Sequence, residues 1–176
     1  MKKTMKSFTF CTFLLLAFLF ISMQAQGADI VNTNPDKRQP AGPMALDFSL
    51  KDLSGKSHLL KNYRGKTVIL NFTATWCPYC KKDIPYLKKL YSSMKGKEFE
   101  LLSIYVSESP KRVAAFAAQY DLTYPILVDE DASVARNYGI RGVPTKVLVS
   151  KDGSIVCWQC TNITIDKKLQ EFLKEK

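Results

Sequence analysis

Six uncharged residues, Val68-Ile69-Leu70-Asn71-Phe72-Thr73, lead within a few positions to two cysteines, Cys77 and Cys80. The run has the length and apolar content of a strand buried on both faces. Directly after the cysteines, Ile84, Leu87, Leu90, Tyr91 and Met94 recur at helical spacing. A buried strand that delivers a C-x-x-C pair onto the start of a helix requires a layered α/β fold, because both elements must bury a face against each other. Pro85 falls inside the helix and is expected to kink it.

The remaining chain supplies the other parts of such a fold. Short apolar stretches from Leu46 to Leu60 flank Ser54-Gly55 and read as a β-hairpin ahead of the main fold. Phe99 to Val106 reads as a strand. Ser109-Pro110 then gives an N-cap and a proline at the first helical position, with the helix running to about Tyr120. Pro125 to Val128 is a short strand and Ser133 to Tyr138 a short helix. Thr145 to Val149 and Ile155 to Trp158 form a hairpin across Lys151-Asp152-Gly153. Thr164 is expected to cap a last helix over Ile165 to Glu175, with Leu169, Phe172 and Leu173 on its inner face. The expectation is an α/β domain over 44–176 with a central mixed sheet flanked by helices.

The amino terminus speaks to the compartment. Lys2, Lys3 and Lys6 precede an apolar run from Phe8 to Ile21, and small or polar residues follow at Ser22, Ala25, Gly27 and Ala28. That order reads as a secretory signal over 1–25, cleaved after Ala25 or after Gly27. The alternative is an uncleaved membrane anchor, for which the run is shorter than the roughly 20 residues a spanning helix needs. Cys11 lies inside the run and leaves with a cleaved signal. Residues 26–43, with Pro35, Pro40 and Pro43, read as a flexible tether. Of the 26 Lys and Arg, three leave with the signal and none of the 16 acids does, so the remainder carries +7 where the whole chain carries +10. The basic residues form no long run and no pattern interleaved with aromatics, so nucleic acid is not an expected partner.

Four cysteines remain beyond the signal: Cys77, Cys80, Cys157 and Cys160. A chain of this size does not need stapling, so the pairs invite a chemical reading. A thiolate is the nucleophile in disulfide exchange. At the start of a helix, Cys77 lies beside unpaired N–H groups and the positive end of the dipole, which favour the thiolate. Cys80, one turn later, can resolve a mixed disulfide. Cys77 is the expected attacker, being nearer the helix end and solvent. The thiols carry the electrons themselves, so no cofactor is expected. The bland alternatives are a structural disulfide or half a zinc site.

Asn71-Phe72-Thr73-Ala74-Thr75-Trp76-Cys77-Pro78-Tyr79-Cys80-Lys81-Lys82-Asp83-Ile84-Pro85, followed later by Gly142-Val143-Pro144-Thr145, resembles the thioredoxin superfamily. The likeness is close to the TlpA/ResA-like branch of exported thiol–disulfide oxidoreductases and covers roughly residues 43 to 175. It implies a thioredoxin-like fold with an N-terminal β-hairpin and a helical insertion at 107–138. By the same resemblance Pro144 follows a cis peptide bond and packs beside Cys77, Val143 pairs its backbone with a substrate strand, and Trp76 borders bound substrate. An ordinary turn proline is the alternative for Pro144. Relatives reduce disulfides in apocytochromes or other exported proteins and draw electrons from a membrane thiol carrier. The implied partners are therefore disulfide-bearing exported proteins and a membrane thiol electron donor.

Two departures stand out. Asn71 occupies the place of the buried aspartate of ordinary thioredoxins. Asp83 stands where TlpA-like relatives often carry glutamate, three residues after Cys80 on the same side of the helix. It is a candidate acceptor for the Cys80 proton, or else a surface aspartate paired with a lysine. Pro78-Tyr79 is the pair glutaredoxin sites use, which hints at a potential less reducing than thioredoxin's.

Cys157-Trp158-Gln159-Cys160 goes beyond the family pattern, with Cys160 where thioredoxins keep a small apolar residue bordering the dithiol. Along a regular strand Cys157 and Cys160 would face opposite ways, so a disulfide between them requires the strand to end or bulge near Gln159. The pair is a candidate second redox centre, with a local structural disulfide or two inert thiols as alternatives. Two rival functions follow from the cysteines. A peroxiredoxin would show Pro-x-x-x-Thr-x-x-Cys, yet Ala74 lies three residues before Cys77. A zinc module would use all four cysteines across an unusually long span. A copper site of this fold would use C-x-x-x-C and a distant histidine, whereas the only histidine, His58, reads as a polar strand residue in the early hairpin.

Overall fold

The computed structural model describes residues 42–174; the expected signal segment and most of the tether lie outside the described residues. Seven strands, β1 (Ser49–Asp52), β2 (Ser57–Leu59), β3 (Thr67–Thr73), β4 (Phe99–Val106), β5 (Ile126–Asp129), β6 (Thr145–Val149) and β7 (Ile155–Trp158), form one sheet in the order β2-β1-β5-β4-β3-β6-β7. Four α-helices connect or follow them: α1 (Pro78–Ser93), α2 (Pro110–Gln119), α3 (Ser133–Asn137) and α4 (Asn162–Lys174).

All seven residues of β3 are buried, and the strand holds the sheet together through a parallel pairing with β4 and an antiparallel one with β6. The parallel steps β3 to β4 and β4 to β5 are crossed by α1 and α2, as parallel neighbours demand. Side-chain alternation along β3 separates two cores. Ile69 faces a cluster with Ile84, Leu87 and Leu90 of α1, Val113 and Phe116 of α2, and Ile165 and Leu169 of α4. Val68, Leu70 and Phe72 face a second cluster with Ala45, Leu50, Leu60, Val134 and Tyr138.

Most expected elements appear where the sequence places them, including the hairpin before the main fold and the Ser109 cap, whose Oγ accepts the Arg112 N–H. Pro85 lies inside α1, which continues through it although proline withholds an N–H from the ladder. The last helix starts earlier than expected, at Asn162. Thr161, not Thr164, caps it, its Oγ1 accepting the Thr164 N–H at 3.1 Å. The 107–138 segment contributes, besides α2 and α3, the expected short strand β5, which lies between β1 and β4. Pro43, read as the end of the tether, is tied to the fold: its carbonyl accepts the Ile155 N–H at 2.8 Å, and Met44 bridges Ser154. In the β6–β7 turn Gly153 has φ +90°, a conformation that residues with a side chain rarely adopt.

Candidate active site

β3 ends at Thr73, and Cys77 becomes the N-cap of α1 with Pro78 at the first helical position. Proline suits that position because its missing N–H would have no partner there. The Cys77 Sγ accepts the Cys80 N–H at 3.2 Å, and the Cys77 thiol lies 3.6 Å from the Val143 carbonyl, to which it donates. The Val143–Pro144 peptide bond is cis, and Val143 packs against the small cluster of Ala74, Cys77 and Cys80. The cis bond is the one the resemblance implies before Pro144. Both cysteines are free thiols. They are equally buried, Cys77 at 3% exposure and Cys80 at 4%, so greater exposure does not mark Cys77 as the attacker. The helix terminus does distinguish them, since a thiolate at the N-cap meets a backbone N–H and the dipole. Burial pushes the Cys80 thiol up to about 11, and its hydrogen bond with Cys77 acts in the same direction, opposed by contacts with the Thr73 hydroxyl and the Ala74 backbone. Trp76 is 60% exposed and Tyr79 is also exposed, so two aromatic rings flank the buried thiols on the surface.

The loop from β3 to Cys77 is held by a carboxylate that sequence reasoning missed. Glu108 is buried and accepts the Thr75 N–H at 2.7 Å and the Thr75 hydroxyl, while Arg112 Nε approaches it at 3.3 Å. The partners are 33 positions apart, and no local pattern links them. Beneath Cys80 a small cleft is lined by Asn71, Thr73, Ser103, Tyr105 and Tyr124 among others. Asn71 donates to Ser103 Oγ at 2.8 Å, and its Oδ1 is without a hydrogen-bond partner. Burial, first among the causes, raises the Tyr105 and Tyr124 phenols, which stay protonated.

Asp83 faces Lys146 on β6. The Lys146 ammonium, on a side chain only 6% exposed, donates to Asp83 Oδ2 at 2.5 Å, and Asn162 Nδ2 donates to Oδ1 at 3.2 Å. The lysine pairing anticipated as one of two readings is thus present, with a buried lysine from the sheet.

Cys157 and Cys160 form a disulfide with a Cα–Cα distance of 5.7 Å. β7 stops at Trp158, and Gln159 takes a left-handed conformation, φ +53°, as the spacing requires for closure. The zinc alternative needs the four sulfurs to converge; among the described residues no group of three or more His, Cys, Asp or Glu does so. His58 is more than a polar strand residue: its ring bridges Asp52 at 2.8 Å and Tyr63 at 2.6 Å.

A model of the AhpC/TSA family matches residues 41–157. The thiol-disulfide oxidoreductase ResA of Geobacillus thermodenitrificans is 40% identical over 114 residues, 65% of this chain and 66% of that protein. The protein of the same name from Bacillus thuringiensis subsp. konkukian is 34% identical over 140 residues, 80% of each chain. Among solved structures, the thioredoxin domain of a thiol-disulfide oxidoreductase from Bacteroides vulgatus superposes with a TM-score of 0.68 at 25% identity, covering 74% of this chain and 96% of that one.

Proposed function

The chain belongs to the AhpC/TSA family and acts as a thiol–disulfide oxidoreductase, and from that premise we propose an exported reductase of protein disulfides, with Cys77 attacking and Cys80 resolving. The observation that carries this reading is the Cys80 N–H on the Cys77 sulfur at the helix N-cap, beside a Cys80 thiol held protonated by burial. The Cys77 thiolate attacks one sulfur of a substrate disulfide, and the other substrate sulfur leaves as a thiolate and takes a proton. Cys80 then loses its proton and attacks the Cys77 sulfur. The second substrate sulfur departs, and the pair ends as the Cys77–Cys80 disulfide. A membrane dithiol donor returns two electrons and two protons. Val143 and Pro144 form the ledge beside Cys77 where an extended substrate segment lies, with Trp76 at its rim. Export rests on the reading of residues 1–25 as a signal.

Insulin reduction tests the roles. Cys77→Ser abolishes turnover, and Cys80→Ser accumulates mixed disulfides through Cys77. Retention of most activity by Cys77→Ser rules out this attacker. Acid trapping in cells with a mass-tagging alkylator reads the direction: a reduced site pair supports the reductase, and an oxidised one refutes it.

A further inference from the structure

We infer that Cys157–Cys160 is a second thiol–disulfide exchange site, attacked from outside at Cys157 by a dithiol protein, with Cys160 as the leaving sulfur.

Three features separate this pair from a structural staple. It closes a short loop, with a sequence separation of 3, and the chain-entropy stabilisation of a disulfide shrinks as its loop shortens. Gln159, between the two cysteines, sits at φ +53°, a conformation residues with a side chain adopt at a cost, so the closed loop contains a strained residue. Its two sulfurs are unequal in access. Cys157 is half-buried at the margin of the core, whereas Cys160 is buried within it. An incoming thiolate therefore meets Cys157 first, and attack on one sulfur of a disulfide expels the other.

The surroundings suit that reaction. Cys160 directly precedes Thr161, the cap of the 13-residue helix α4, so the sulfur that must leave as an anion lies next to a helix N-terminus. Ile163, three residues beyond Cys160, is an exposed apolar side chain beside the pair. The pair also sits at the end of the sheet that carries the first dithiol. The Cys160 N–H donates to the Lys146 carbonyl at 2.9 Å, and Lys146 pairs with Asn71 of β3 in the sheet. Lys146 in turn holds Asp83, one turn beyond Cys80 on α1.

The exchange balances as a two-electron step. A thiolate of the donor bonds to Cys157 Sγ as the Cys157–Cys160 bond breaks, and Cys160 takes a proton from solvent. The donor's second thiol, once deprotonated, attacks the donor sulfur of the mixed disulfide and releases Cys157. The donor is left as a disulfide, and Cys157 and Cys160 as a dithiol.

The test uses the full chain carrying Cys77→Ser and Cys80→Ser, so its outcome is independent of the roles assigned to that pair. Reduction by dithiothreitol is followed by acid quench, alkylation and mass spectrometry, natively and in urea. The expected native rate is at least about one tenth of the rate in denaturant, because Cys157 is reachable without unfolding. A native rate lower than that overturns the inference and makes the bond a structural one. Reduced thioredoxin lacking its resolving cysteine then serves as a trap. A cross-link at Cys157 is expected; one at Cys160, or none, refutes the assignment. The same reduction on the chain with Cys77 and Cys80 intact guards against misfolding of the variant, and slow native reduction of Cys157–Cys160 there is equally decisive against it.

Discussion

Replacing Asp83 by alanine should destabilise the protein far more than replacing Lys146 by methionine, although the two residues form one ion pair. In Asp83→Ala the Lys146 ammonium, on a side chain 6% exposed, loses its carboxylate, and Asn162 Nδ2 loses an acceptor. Removing one partner of a buried pair costs about 3–5 kcal/mol. Asp83 is itself partly exposed, so water reaches the site and the expectation falls to roughly 3 kcal/mol, the lower end of that range. In Lys146→Met the long apolar stem remains, the buried charge disappears, and Asp83 keeps Asn162 and solvent. A loss below about 1 kcal/mol is expected, since apolar replacement of a buried charge is often neutral. The double variant Asp83→Ala/Lys146→Met should recover at least about 2 kcal/mol relative to Asp83→Ala. Urea denaturation followed by circular dichroism measures this: with a slope near 1.5 kcal/mol/M, Asp83→Ala lowers the midpoint by about 2 M. Equal destabilisation by the two single variants, or a double variant no better than Asp83→Ala, refutes the reasoning. Insulin turnover by the double variant separates the two readings of Asp83. Recovery of turnover along with stability identifies the carboxylate as the partner of Lys146. Stability regained with turnover still depressed about tenfold or more identifies it as the acceptor of the Cys80 proton.

Glu108→Ala should lower the melting temperature by about 10 °C, because it strands the buried Thr75 N–H and takes the acceptor from the Thr75 hydroxyl, which keeps only the Arg112 Nε donor, at roughly 2–4 kcal/mol. Thr75→Ala, which leaves Glu108 with Arg112, should cost less; calorimetry showing the reverse order would contradict the geometry. The reduced protein should lose stability between about pH 9 and 11, while the Cys77–Cys80 disulfide form should not share this loss. The Cys80 pKa is raised in the fold, to about 11, so its contribution is complete below the unfolded thiol's pKa and vanishes as pH rises through the folded value. The expected size is of order 2 kcal/mol, read as the reduced-minus-oxidised difference in urea midpoints, which cancels the tyrosines common to both forms. Cys80→Ala, which cannot form the disulfide, should lose no more stability between about pH 9 and 11 than the wild-type disulfide form does.

What the sequence made legible was whatever a short stretch of chain decides alone. Phe99–Val106 and Thr145–Val149 are strands with the expected bounds because apolar content and flanking turns act within a few residues. Ser109 caps α2 because a hydroxyl and a proline at adjacent positions determine a helix start. The resemblance read from residues 71–85 and 142–145 agrees with the ResA relatives, since those two segments carry the thiols and the cis proline. The supports of the site were not legible. Glu108 reaches Thr75 across 33 positions, and Lys146 reaches Asp83 across 63. Both contacts exist only because parallel β3–β4 and antiparallel β3–β6 pairing bring those side chains together. The cap of α4 was misplaced for a different reason. Thr161 and Thr164 are chemically equivalent caps, and the helix begins at the first because its carbonyl already accepts the Ile165 N–H.

The geometry of the second pair shows how one irregularity settles a question that alternation leaves open. In a regular β6–β7 hairpin starting from Val149 opposite Ile155, Val156 would face Leu148 and Cys157 would face Val147, across the sheet from the α1 core. The register instead shifts, so that Cys157 pairs with Leu148 and Trp158 with Val147, leaving Val156 as the extra residue of a bulge. Val156 and Cys157 consequently both pack against the core that contains Cys160, while Ile155 packs against the other. Trp158 is turned to the opposite face, where it stacks on Tyr138 with ring centroids 5.8 Å apart. With Cys157 on the right face, the left-handed turn at Gln159 needs only to bring Cys160 back over it. The disulfide thus depends on two departures from strand geometry, of which the spacing of the cysteines pointed to the one near Gln159. The other lies one residue before Cys157 and carries no turn residue to announce it.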